Sequence, residues 1–164
     1  MSAHNNHMRA LTADEIALCR SVFPDALPYE DVRLCDGPAV NDLAERAFHN
    51  RNTAITLRRT IYFRTHYCRD FAQAGNEARR LFLHEMTHVW QWWKLGMPRF
   101  LFRYGRELAG CRFDAAAMYR YEGDPRPFGE CRLEAQAEMV GDYQRPDRQA
   151  RLVHRLRGTG VYGL

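Results

Sequence analysis

The sequence is short of several features, and each shortage narrows what the protein can do. It has no run of about 18 apolar residues, the length a membrane-spanning helix needs. The longest nearly apolar stretch, Leu81 to Trp93, is broken by His84, Glu85 and His88. No bilayer-spanning segment is expected, and no membrane partner. Lysine is almost missing: Lys94 stands alone beside 23 arginines. These arginines are scattered, and most stand near carboxylates. The net charge of +4 therefore implies weak attraction to acidic surfaces, and a nucleic-acid partner is not expected. CxxC pairs are absent, and the five cysteines (Cys19, Cys35, Cys68, Cys111, Cys131) are odd in number. This argues against a disulfide framework and against a cysteine-rich zinc knuckle. The opening residues, MSAHNNHMRALTADE, have neither the basic start nor the apolar run of a signal peptide. The expectation is a protein made in the reducing cytoplasm, with any export by a secretion route that reads no cleavable leader.

What is present suffices for one domain. A chain of 164 residues, 46% hydrophobic and 12% aromatic, can bury a core without staples. Residues 1–11 read as a flexible N-terminus, 12–157 as the domain and 158–164 as a flexible C-terminal tail. Thr12 and Glu15 form a capping-box signature ahead of a helix over 13–22 that stops before Pro24. Residues 31–35 alternate like a short strand, 39–52 are ambiguous between helix and loop, and 53–64 are the best β segment, with Arg58-Arg59 marking a hairpin or kink. A helix is predicted over 76–95, closed by Gly96 and Pro98. Beyond it, 97–108 reads as a helix or irregular arm and 115–121 as a strand. A strong helix follows from near Gly129 to Tyr143, then a short amphipathic one over 147–157. The fold class is α+β, mainly helical with a small sheet beside the central helix.

Chemistry enters with His84-Glu85-Met86-Thr87-His88, an HExxH motif inside that helix. Residues four apart share a helix face, so both imidazoles can address one Zn2+ ion. Glu85, rotated around the axis, can act as general base on a metal-bound water without being a ligand. The surrounding Leu81, Phe82, Leu83, Met86, Val89 and Trp90 suit a buried helix. Two core histidines beside an ordinary glutamate would leave Glu85 without a partner in an apolar stretch, which is costly.

A catalytic zinc usually keeps three protein ligands. The extension HExxHxxGxxH is absent, since Gln91 and Lys94 occupy the positions of its Gly and His. The better source is Arg132-Leu133-Glu134-Ala135-Gln136-Ala137-Glu138, where Glu134 and Glu138 lie one turn apart. Glu134 is favoured as ligand over Glu138 or Asp142, leaving Glu138 to hold a histidine ring from behind. His154, His66 and His49 are weaker alternatives. Thr60 to Arg64 reads either as a core strand or as an edge strand open to an extended peptide. Tyr119 and Tyr121 are candidates to stabilise an oxyanion, Tyr121 being the chosen catalytic residue, although such tyrosines also serve as packing. Of Trp90, Trp92 and Trp93, at least two are expected to anchor the helix.

HExxH followed by E-x-x-A-E resembles the gluzincin zinc metallopeptidases. The resemblance implies His84, His88 and Glu134 as zinc ligands, Glu85 as general base and Glu138 at a position that orients a ligand. The segments LTADEIALCRSVF, IYF, LFLHEMTHVWQ and RLEAQAEMV are similar to proteobacterial Vgr-related proteins, and the HE-x-THVWQ helix to the zincin-like domain of extracellular contractile injection systems. What this implies is a compact zincin-like (minigluzincin) domain and a zinc metallopeptidase, an endopeptidase, acting on a peptide or protein substrate. The alternative is a catalytically silent zincin-shaped structural or adaptor protein of a contractile or type VI-like secretion apparatus. A third reading, a zinc protease recruited to DNA through its arginines, requires a steep loss of DNA affinity with salt.

Overall fold

The computed structural model describes residues 7–37 and 53–164. The first strand, β1 (His7–Ala10), leads into α1 (Ala13–Val22). Thr12 and Glu15 cap that helix reciprocally: Thr12 Oγ1 accepts from the Glu15 backbone N–H, and Glu15 Oε2 accepts from that of Thr12. The same carboxylate is fully buried, takes two hydrogen bonds from Arg9 and accepts the backbone N–H of Phe71. One acidic side chain thus ties together the first strand, the first helix and a distant loop.

A 3-10 turn at Tyr29–Asp31 precedes β2 (Arg33–Asp36), and β3 (Ala54–Leu57) and β4 (Thr60–Phe63) form a hairpin. The sheet order is β1-β2-β4-β3, with β2 and β4 parallel and the other pairs antiparallel. Alternation puts Leu34, Ile61 and Phe63 on the inner face, all fully buried. Stacked rings carry that face onto the central helix: Phe63 lies 4.8 Å from Phe71, and Phe71 5.0 Å from Phe82. Each such ring contributes about 1.5–3 kcal/mol by leaving water.

The central helix, α2 (Asn76–Leu95), ends at Gly96, whose φ of 72° favours a residue without Cβ. α3 (Met97–Gly110) follows at once, then α4 (Ala115–Met118), a 3-10 turn at Phe128–Glu130, α5 (Leu133–Asp142) and α6 (Pro146–Leu156). α5 lies against α2 at very close range. A Cβ at Gly141 would stand 2.8 Å from the Arg80 carbonyl and 3.4 Å from the His84 Cβ. Ala135 and Ala137 are fully buried nearby.

The α+β class agrees with the sequence reading, and several boundaries differ from it. Residues 115–121 contain no strand. Asp114 caps Ala116, and the alanine-rich segment forms the short α4. The helix expected from Gly129 begins at Leu133, because Cys131 and Arg132 are extended. The Thr60–Phe63 strand is interior, the core-strand alternative of the sequence reading, and the edges among the described residues are β1 and β3. His7–Ala10 pairs in the sheet and Val161 is buried in a closing 3-10 turn, where loose ends were expected. The ambiguous segment 39–52, with His49, lies outside the described residues.

Candidate metal centre

His84 and His88 emerge one turn apart from α2, and Glu134 from the first turn of α5. Each offers one ligand atom, and the three atoms lie within 4.8 Å of one another. Glu134 Oε2 is 3.1 Å from His88 Nε2 and 3.3 Å from His84 Nε2. All three side chains are buried.

The other ring nitrogens are already engaged. Gln91 donates its amide to the Leu133 carbonyl and to Gln136, which leaves its Oε1 to accept from His88 Nδ1 at 2.9 Å. Glu138 Oε2 lies 3.1 Å from His84 Nδ1, and Arg80 holds the other Glu138 oxygen. With both Nδ1 atoms donating, two Nε2 lone pairs and a carboxylate oxygen face each other. That arrangement needs either extra protons or one shared cation. Two imidazoles and a carboxylate are a zinc donor set, and hydrogen-bonded outer nitrogens are how such ligands are oriented. The residues fit the ion.

Without a cation the cluster must hold protons. Burial alone would lower the His84 value, but hydrogen bonds to Glu134 and Glu138 push it up to about 10. Burial would lower His88 as well, but the charge of Glu134 and its hydrogen bond raise it. Burial would raise Glu134, yet the charge of His88 and hydrogen bonds from both rings hold its carboxyl well below the usual range.

Glu85 is buried beside this cluster. Thr56 Oγ1, from β3, donates to its Oε2 at 2.6 Å. In front lies a cleft of about 230 Å³ lined by Ile55, Leu57, Trp92, Phe100 and Leu101, with Tyr104 and Tyr119 on its wall. Tyr104 donates to Glu134 Oε1 at 3.1 Å, and the Tyr119 ring stacks on His84 at 5.8 Å. Burial, reinforced by the Glu134 charge, raises both phenols and keeps them protonated.

Tyr121, the oxyanion donor that the sequence suggests, is not at this cleft. Its hydroxyl donates to Asp142 Oδ2 at 2.7 Å, and the same oxygen binds Arg148. Asp142 Oδ1 holds Arg80 at 2.6 Å, and Asp142 does not converge with His84, His88 and Glu134. Its role is to support the arginine that holds Glu138. His66 and His154 are exposed and away from the cluster. Trp90 is buried and donates to Asp25, Trp92 stacks on Phe100, and Trp93 is exposed. Thr56, Tyr104 and Gln91 were missed. Gln91 was legible, because a residue three positions beyond His88 shares its face. Thr56 and Tyr104 reach the site only through the tertiary fold.

Residues 25–94, which contain both histidines and stop before Glu134, match the family model of the eCIS core domain. Over 138 residues, 82% of this chain, the sequence is 30% identical to the type VI secretion system spike protein VgrG2b of Pseudomonas aeruginosa, of which the match spans 13%. The solved effector domain of that protein superposes with a TM-score of 0.67 at 26% identity, covering 96% of this chain and 86% of that domain. The chain is similar to the VgrG2b effector domain along nearly its whole length. The likeness thus extends well beyond the 25–94 match, in a structure that pairs a small sheet with the α2 and α5 helices.

Proposed function

We propose that this chain is a zinc-dependent peptidase working with a contractile or type VI-like secretion apparatus, which would carry it out of the cell that makes it. The peptidase reading rests on one observation: His84, His88 and Glu134 converge on a point beside the buried Glu85, at the floor of an apolar cleft. The association with secretion machinery is supported by the likeness to a spike protein, its effector domain and the eCIS core domain.

His84 and His88 through Nε2, and Glu134 through a carboxylate oxygen, would hold the ion. When bound, zinc supplies a Lewis acid that polarises a peptide carbonyl and acidifies a water molecule. Glu85 takes the proton of the attacking water and delivers it to the departing amine nitrogen. Thr56 fixes the carboxylate that does this. The Tyr119 hydroxyl, protonated and at the cleft, donates to the carbonyl oxygen as charge builds there. Tyr104 is committed to Glu134 and serves to orient it. Of the two edge strands among the described residues, β1 and β3, it is β3 that lines the cleft, and an extended peptide would add along it by backbone hydrogen bonds. Ile55, Leu57 and Phe100 would receive an apolar substrate side chain.

A second reading, a silent zincin-shaped adaptor, is favoured by the nature of the matches, a spike protein and an injection-system core domain. Glu85→Gln separates the two. The peptidase reading expects zinc retained in this variant and cleavage of a mixed peptide library lowered by about 10²–10⁴-fold. Failure of the zinc-loaded wild type to cleave any peptide, with the biological effect intact in Glu85→Gln, would establish the adaptor.

A further inference from the structure

The outer face of α3 is apolar where a solvated helix would be polar. At about 100° per residue, Pro98, Leu101, Phe102, Gly105 and Ala109 fall on one arc, opposite the buried Phe100. Phe102 is 73% exposed and Leu101 55%, while Phe113, in the turn after the helix, is 75% exposed. No acidic residue interrupts the arc. Glu107, the single acid of this helix, accepts from Arg103 at 2.7 Å and from the Leu133 backbone at 2.8 Å. Arg99 and Arg106 border the arc and Arg112 adjoins Phe113. All three are exposed, and among the described residues their guanidinium groups have no hydrogen-bond or ion-pair partner.

We propose that α3 is a peripheral docking helix for an anionic phospholipid surface. The phenyl and leucyl side chains enter the boundary between headgroups and acyl chains, and the three guanidinium groups bind lipid phosphates. The arc carries no hydrogen-bonding side chain with which to meet a polar protein surface. A symmetric second copy would bring the flanking arginines against each other. This contact departs from the sequence expectation of no membrane partner, and it is peripheral: no described helix is long and apolar enough to cross a bilayer. Leu101 belongs both to this face and to the cleft wall, so docking sets the cleft mouth at the lipid surface. The proposal does not depend on the metal or on activity.

The test is flotation of the full chain with vesicles of equimolar phosphatidylcholine and phosphatidylglycerol, beside vesicles of phosphatidylcholine alone. Binding to the anionic vesicles is expected, weakening as salt rises. Phe102→Ser and the pair Arg99→Glu/Arg106→Glu, all at exposed positions, should each lower partitioning by at least about 10-fold with unchanged circular dichroism. The proposal is overturned if anionic vesicles do not retain the protein, or if neutral ones retain it equally. Partitioning that neither variant changes would also overturn it. So would a dimer in sedimentation that Phe102→Ser dissociates, or duplex DNA captured through these arginines while vesicles are ignored.

Discussion

Gly141→Ala tests whether the two helices that carry the His84, His88 and Glu134 cluster are as close as the geometry says. Two effects of opposite sign compete. Within a helix, alanine is favoured over glycine by about 1 kcal/mol, so propensity alone makes the substitution stabilising. Against that, the new Cβ would stand 2.8 Å from the Arg80 carbonyl oxygen and 3.4 Å from the His84 Cβ. Relaxed non-bonded contacts lie at roughly 3.5 Å. The obstructing atom is main chain in the second turn of the central helix and cannot swing aside as a side chain would. Overpacking of this kind costs about 1–3 kcal/mol, so packing prevails and the variant is expected to be less stable by about 1 kcal/mol. For a chain of this size that lowers Tm by roughly 2–4 °C. The helices can relieve the clash only by separating, which draws Glu134 away from both imidazoles, so zinc affinity should fall as well. Urea unfolding of the metal-free protein and a competitive chelator titration measure the two effects separately. A variant more stable than wild type, with zinc affinity unchanged, would refute the close approach of α5 to α2.

Glu134→Ala should abolish zinc binding, whereas Glu138→Gln should weaken it by about 10–100-fold; a chelator titration in which only the Glu138 variant loses zinc would reverse the ligand assignment. Thr56→Val should keep zinc and lower kcat by about 10–100-fold, the worth of one hydrogen bond to a charged group, with Thr56→Ser restoring most of it. Tyr119→Phe should lower kcat by about 10²-fold, while Tyr121→Phe leaves kcat alone and costs about 1 kcal/mol of stability in urea. In the metal-free chain His84 is held up to about 10 against its ordinary 6.5. Its contribution is therefore complete below 6.5 and lost as pH rises through 10, so metal-free stability should decline over that window while zinc, displacing the protons, stabilises more. Calorimetric scans with and without zinc at several pH values check both slopes.

The parts of the site that obey a local period were legible. His84 and His88 at i and i+4, and Glu134 and Glu138 with the same spacing, depend on helix geometry alone, and both pairs face the cluster as the spacing requires. The capping box at Thr12 and Glu15 and the glycine stop at Gly96 are equally local. Misreadings fall where the deciding contact is distant in sequence. Residues 115–121 look strand-like until Asp114 caps the turn. The edge of the sheet depends on β2 pairing with β4, a partner choice that the alternation of neither strand reveals. Tyr121 and Tyr119 are indistinguishable in sequence. Only the position of α4 decides that one ring stacks on His84 while the other reaches Asp142.

That last division explains how the fold supports the site. Asp142 gathers Arg80, Tyr121 and Arg148, and Arg80 in turn holds Glu138 against the outer nitrogen of His84. On the other side, Gln136 and the Leu133 carbonyl fix Gln91, which fixes His88. Both histidines, though carried by α2, are thus oriented by α5, the helix that supplies Glu134, the third member of the cluster. Ligand geometry and helix packing are consequently one property here. A change that separates the two helices must disturb all three members of the cluster together, and an ion held between them would in turn resist that separation.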